Sequence, residues 1–306
     1  VIEHARMFVG LKSMSTLSTG YLNALEYSKE RVQGSDMTQM MNKNAPRVAI
    51  LRHPDVRRCL MLQKCHAEGL RALIFKTASV QDRIAQTEDH AEKKKLEALN
   101  DLYLPLVKGY GSEKAYELLS VALQIFGGSG YCQDYPIEQY IRDQKIDTLY
   151  EGTTHIQALD LFFRKVGRDR GATLQALMGD VGKDLAALPP ALASEAAALK
   201  RAIDDVGAIF MGMMGKLGQS PYHVGLHGNR ILFALAELII GWRLLVNAKV
   251  ALAAEAGAAE RDRPFYAGKI AAARFYAREV LPGITASRKI IEGGDLALME
   301  LSDDAW

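Results

Sequence analysis

Residues 123–157 read "LQIFGGSGYCQDYPIEQYIRDQKIDTLYEGTTHIQ". A helix ending in Gln124, Ile125 and Phe126 runs into a glycine turn, Gly127, Gly128, Ser129 and Gly130. Glycines let a backbone approach a phosphate closely, but a dinucleotide fingerprint needs a strand before the turn and a helix after it. The stretch offers neither, so the Rossmann reading fails and a helix C-cap is the local explanation of the glycines. A short helical piece follows around residues 137–146. Glu151 then stands alone between Tyr150 and Gly152, just before Thr153 and Thr154. Thr154 and Gln157 have the Thr-x-x-Gln spacing of a capping box. This predicts a helix starting near Thr154, with Glu151 in the turn before it and Gly152 permitting a sharp bend. A helix N-terminus stabilises a nearby carboxylate, whereas burial against Tyr150 and apolar neighbours would raise its pKa. Local sequence leaves both readings of Glu151 open, a favourable acid at a helix start and a buried base.

Outward from this stretch the apolar residues repeat at helical spacing and strand alternation is nearly absent. Residues 5–31 place Met7, Leu11, Met14, Leu17, Tyr21, Leu25 and Ser28 on one face of a long helix. Residues 32–53, with Gly34, Asn42, Asn44 and Pro46, read as a long connection. Pro54 opens a second helix to about residue 86, since proline suits a first helical position. A third helix reads over 96–126, with Pro105 and the Gly109–Gly111 pair as kinks. Residues 153–166 are amphipathic, with Ile156, Leu159, Phe163 and Val166 on the core side. Beyond "GRDRGAT" (167–173) lie Ala-rich helices near 172–187, 191–217, 221–256 and 264–292, punctuated by Pro189–Pro190, Gly218–Pro221 and Asp262–Pro264. The fold class is therefore all-α: one helical bundle over residues 1–167, then a second, antiparallel bundle over 168–306.

Composition sets the remaining bounds. The 306 residues are 49% hydrophobic and 24% charged, with a formal net charge of +2, as in a soluble globular protein. Lys93, Lys94 and Lys95 form the only compact basic run and sit among acids, which makes them a solvated helix face. Nucleic-acid binding needs concentrated Lys and Arg, so that class is set aside. Cys59, Cys65 and Cys132 have no ligand-like spacing and argue for a reducing interior, against a disulfide framework or a zinc site. His223 and His227 fall at i and i+4 without a third ligand nearby, so no metal is expected. No leader-like segment and no unbroken apolar run of membrane-spanning length is present, and a cytoplasmic protein is expected. The chain starts inside a helix, with no initiating Met, as a piece of a longer protein would.

Taken together, these motifs resemble the C-terminal helical domain of the acyl-CoA dehydrogenase family, over residues 1 to about 166. The likeness rests on a Gln-x-x-Gly-Gly turn (124–128), Arg-Asp-x-Lys-Ile (142–146) and Tyr-Glu-Gly-Thr (150–153), in that order. Residues 168–306 resemble the extra helical domain of longer members. The resemblance implies that Glu151 is the base that removes the α-proton of an acyl-CoA thioester while the β-hydrogen leaves as hydride to FAD. Its backbone N–H would also be one donor to the thioester oxygen, where charge develops, and a dry pocket would raise its pKa towards the working range. Tyr150 and Gly152 flank it. Some relatives carry the base near the start of the first helix. That position is Ala5 here, next to Arg6, which matches a supporting arginine, while the nearby acid Glu3 does not align.

For the cofactor, the resemblance assigns Arg31, Gln124, Gly127 and Gly128 to the FAD of a neighbouring subunit, and Thr153 and His155 to the flavin nucleotide of the same chain. His155 stands where the family has Gln, and "RVQGS" (31–35) departs from its Arg-x-x-Phe-Gly. The implied partners are an acyl-CoA substrate, electron-transfer flavoprotein or another acceptor, and further copies in a homodimer or tetramer sharing the FAD site. The family's N-terminal helical domain and middle β-domain have no counterpart in these residues, so the 306-residue piece alone is expected to be inactive. The competing class is a non-catalytic helical oligomerisation or binding module derived from this family.

Overall fold

A computed structural model describes residues 2–306. Its helices are α1 (Ile2–Glu30), α2 (Pro54–Gln86), α3 (His90–Pro105), α4 (Gly111–Phe126), α5 (Gly128–Tyr131), α6 (Ile137–Lys145) and α7 (Thr154–Leu159) in the first half. The second half holds α8 (Ala172–Ala186), α9 (Ala193–Leu217), α10 (Tyr222–Glu255), α11 (Arg263–Glu279), α12 (Pro282–Glu292) and α13 (Ala297–Glu300). Among the described residues the fold is all-α except for one antiparallel hairpin, β1 (Val32–Ser35) and β2 (Arg47–Ala49), in register Val32 to Ala49 and Ser35 to Arg47.

α1 lies close against α4 and the segment before it because small residues face them. A Cβ on Gly10 would meet Val107 Cγ1 at 2.2 Å and one on Gly20 would meet Leu119 Cδ2 at 2.6 Å. The buried stripe of α1 therefore runs through Val9, Ser13, Met14, Leu17 and Ala24, with Leu11 left outside it. One hydrophobic core continues from Met14 and Leu17 through α2 and α4 to α9, α10 and α11. α10 is its axis: Ile240 packs where a Cβ of Gly69 would stand, and Phe233 meets Tyr110 edge-on at 5.4 Å. By length and composition α10 could cross a membrane, but 72% of its apolar window is buried inside the protein, as a core helix requires. A second, smaller cluster (Ala24, Leu60, Leu119, Phe126, Ile137) closes the far end of α1.

The structure departs from the sequence reading at several places. Ile156 and Phe163, read as core-side, are exposed, and the buried face of 154–166 runs instead through Gln157, Ala158, Leu161 and Phe162. The connection 32–53 contains the hairpin, whose strands of 4 and 3 residues are too short for alternation to register. The third helix starts at His90, inside the charged run, because Asp89 accepts from the N–H groups of Ala91 and Glu92 as its N-cap. Its kink is a π-helical turn, Leu106–Tyr110, and a second π-helical turn, Asp160–Val166, continues α7. The helix read over 264–292 breaks into α11 and α12 ahead of Pro282, which cannot donate to the preceding turn. Finally, the N-cap of α7 is Thr153 and not Thr154: Thr153 Oγ1 accepts from Ile156 N at 3.4 Å, while Thr154 Oγ1 donates to Glu113 at 2.7 Å. Gln157, read as the reciprocal half of a capping box, turns instead towards the carbonyls of residues 151 and 152.

Candidate active site

Glu151 lies in the turn between α6 and α7 with its side chain exposed. Its φ is 57°, the left-handed region that non-glycine residues rarely adopt, and Gly152 follows at φ 89°. Two buried donors hold this reversal. Gln157 Nε2 donates to Glu151 O at 3.0 Å and to Gly152 O at 3.4 Å, and Lys108 Nζ donates to Gly152 O at 2.5 Å. Lys108 comes from the π-turn before α4 and is fully buried. Burial pulls its ammonium below the ordinary lysine range, against the attraction of Glu113 and Asp147. The N–H groups of Glu151, Gly152 and Thr153 donate to no protein acceptor among the described residues.

Around this turn the charges are paired. Lys12 of α1 reaches buried Asp147 at 2.9 Å and the carbonyl of Asp143 at 3.0 Å. Arg6 meets buried Asp160 at 2.6 Å, which ties the start of α1 to the second π-turn. Tyr150 is 43% exposed, and its phenol is pushed up by partial burial and then by Asp147 beside it. Ile146, Leu149 and Ile156 are each about half exposed, so the rim of the Glu151 turn is apolar.

The residues singled out from the sequence fall into two groups. Glu151, Tyr150, Gly152, Thr153 and Arg6 gather at one end of α1. Arg31, Gln124, Gly127 and Gly128 gather at the other, where the rings of Tyr27 and Phe126 meet tilted, centroids 4.6 Å apart, and join the ends of α1 and α4. About 28 Å of helix separates Lys12 from Arg31 at 1.5 Å per residue. Arg31 and Gln124 are exposed, Gly127 has φ 60°, and a Cβ on either Gly127 or Gly128 would meet nothing within 4 Å. His155 sits against α10, where a Cβ on Gly228 would lie 3.4 Å from its Cε1. No group of three or more possible metal ligands occurs among the described residues.

Sequence reasoning missed Lys108, Glu113, Asp147 and Asp160, and assigned Gln157 the wrong partners. A lysine flanked by apolar runs in "LYLPLVKGYG" (102–111) was the available signal for Lys108. The other three became legible only through the chain segments that they join.

The model of the acyl-CoA dehydrogenase C-terminal domain matches residues 1–164, and one described as acetyl-CoA dehydrogenase C-terminal like matches residues 173–302. The chain is 52% identical over 316 residues to a broad-specificity linear acyl-CoA dehydrogenase, FadE5, of Mycobacterium tuberculosis, covering all of this chain and 52% of that protein. It is 32% identical over 309 residues to a butyryl-CoA dehydrogenase of Syntrophomonas wolfei, covering 100% of this chain and 50% of that protein. Two solved structures share the fold at 18% identity. Caenorhabditis elegans ACDH-11 in complex with C11-CoA matches with a TM-score of 0.73 over 96% of this chain and 47% of that one. An acyl-CoA dehydrogenase complexed with FAD from Bacillus anthracis matches with a TM-score of 0.71 over 98% and 50%. The chain thus spans about half the length of the curated relatives it matches. With the model of its C-terminal domain matching more than half of its residues, the chain belongs to the acyl-CoA dehydrogenase family.

Proposed function

We propose that this chain is the C-terminal part of an FAD-dependent acyl-CoA dehydrogenase, with the first helical unit over residues 1–167 and the second over 168–306. In this reading Glu151 removes the α-proton of an acyl-CoA thioester. The observation that carries it is the turn itself: a carboxylate in a left-handed conformation at a helix entrance, with its own N–H and the next two undirected towards any protein acceptor. A thioester oxygen gaining negative charge could accept from the Glu151 N–H, which lowers the cost of removing a weakly acidic proton. The apolar rim of Ile146, Leu149 and Ile156 suits an acyl chain and a covering domain that would exclude water.

FAD, when bound, supplies the acceptor for the β-hydride. The open cradle at Gly127 and Gly128, with Gln124 and Arg31 exposed beside it, fits the diphosphate of an FAD. Because this cradle lies at the far end of α1 from Glu151, it would serve a neighbouring copy, in a homodimer or tetramer. Thr153 would face the flavin nucleotide of its own chain, with His155 behind it, packed against α10. Tyr150 and Gly152 shape the turn, and Arg6 braces it through Asp160. Electron-transfer flavoprotein or another acceptor would reoxidise the flavin, in a cytoplasmic setting. The 306 residues alone would not turn over substrate.

Replacing Glu151 by Gln in the complete protein tests the reading. Loss of a general base lowers kcat by about 10²–10⁴-fold, with acyl-CoA binding retained. Unchanged turnover would refute the assignment.

A further inference from the structure

We propose that Lys108 is a positioning residue for Glu151, holding the 151–153 backbone so that the carboxylate and the N–H groups beside it face the reacting side. This rests on the reading of Glu151 as the base. The starting observation is a fully buried ammonium whose hydrogen bond among the described residues goes to one backbone oxygen, Gly152 O at 2.5 Å. A buried charge is a poor way to gain stability, since an apolar side chain of similar volume packs there at less cost. The placement of the charge is therefore what needs explaining.

Peptide geometry supplies the explanation. In a trans peptide the C=O and the N–H point in opposite directions. Gln157 draws Glu151 O inwards, so the Gly152 N–H turns outwards. Lys108 draws Gly152 O inwards, so the Thr153 N–H turns outwards. A carbonyl bonded to an ammonium also polarises its own peptide, which makes that N–H a stronger donor. These two anchors fix both peptide planes after Glu151 and keep its backbone at a φ that an L-residue would otherwise leave.

The π-turn delivers the ammonium. Gly111 N–H bonds back to Leu106 O, the extra residue that changes the register of the 106–110 segment. Three elements clamp this turn. Gly10 of α1 lets Val107 approach, Gln157 of α7 and Leu232 of α10 close on Gly109, and Phe233 of α10 packs on Tyr110. A Cβ at Gly109 would stand 2.7 Å from Leu232 and 3.1 Å from Gln157. The second helical half thus contributes to the site by steadying the segment that carries Lys108, without supplying a group to the chemistry.

The test uses the complete protein with Lys108→Met, which keeps the length and removes the charge and donor, and Lys108→Gln, which keeps a neutral donor. Lys108→Met is expected to lower kcat at least 30-fold with KM changed less than threefold. It should also speed amide hydrogen exchange in a peptide spanning residues 147–158 at least tenfold, while peptides from α9 and α11 stay unchanged. Lys108→Gln should recover part of both effects, and it stands in for the first variant if that one does not fold. Glu151→Gln is run alongside. If Glu151→Gln abolishes turnover while both Lys108 variants keep kcat within threefold and leave exchange at 147–158 unaltered, the positioning role is overturned and the base stands. If Glu151→Gln keeps its activity, the base assignment falls. The proposal falls with it, whatever exchange at 147–158 shows.

Discussion

Glu237 offers the sharpest test of how the two helical halves are joined. It projects from α10 into a cavity of about 260 Å³ between the halves, lined among others by His66, Lys114, Glu117, Glu279 and Ser287. Burial pushes its carboxyl from the ordinary 4.5 up to about 7, against the pull of Lys114 and with a smaller push from Glu117. The folded state therefore holds this proton more tightly than the unfolded chain does. Stability from this group is fullest below pH 4.5, falls as pH rises towards 7, and levels off above. A displacement of that size is worth roughly 3 kcal/mol. Most of it is lost by pH 8, against under about 1 kcal/mol at pH 5.

Glu237→Gln keeps the shape of the neutral acid and cannot ionise. Its advantage over the parent should grow by roughly 2–3 kcal/mol from pH 5 to pH 8. With an unfolding entropy of about 2.1 cal/mol/K per residue, that is a relative gain in Tm of roughly 4 °C for a chain of this size. Thermal unfolding followed by circular dichroism at the two pH values measures it. A Tm difference between variant and parent that is the same at pH 5 and pH 8 would refute the reasoning.

Two further substitutions probe the packing around the site. Gly10→Ala drives a methyl to 2.8 Å from the backbone oxygen of Val107, so it should destabilise by about 1–3 kcal/mol in urea unfolding; a change within 0.3 kcal/mol would count against so close an approach. Lys216 donates to the carbonyls of Ile291, Glu292 and Gly294, each at 3.0 Å, and so caps α12; Lys216→Met should cost about 1–2 kcal/mol and speed amide exchange at the end of α12 ahead of the other helices.

The long helices were legible in the sequence because their stop signals are chemical. Pro54 sits at the first position of α2 as read, and its C-cap falls at Thr87, next to the last residue expected. The two π-turns were not legible, since Pro105 and the glycines announce a kink without saying which backbone register resolves it. Thr153 and Thr154 could each cap α7 on local grounds. The choice was made by Glu113, forty-one residues away, which takes the Thr154 hydroxyl. The family motifs drew attention to Glu151, but the groups that hold it, Lys108 and Gln157, come from different elements. Their meeting depends on helix packing that no window of sequence contains.

The continuous core has a consequence for any division of this chain. α10 covers Tyr110 and Ala158 and α9 covers Phe162, so a chain ending near residue 167 would open these three side chains to water. Three such side chains uncovered together form a patch of the kind that drives association between molecules. The two stretches matched by separate family models therefore stand or fall in one cooperative transition. Recombination or truncation between them would yield insoluble halves and not two portable modules.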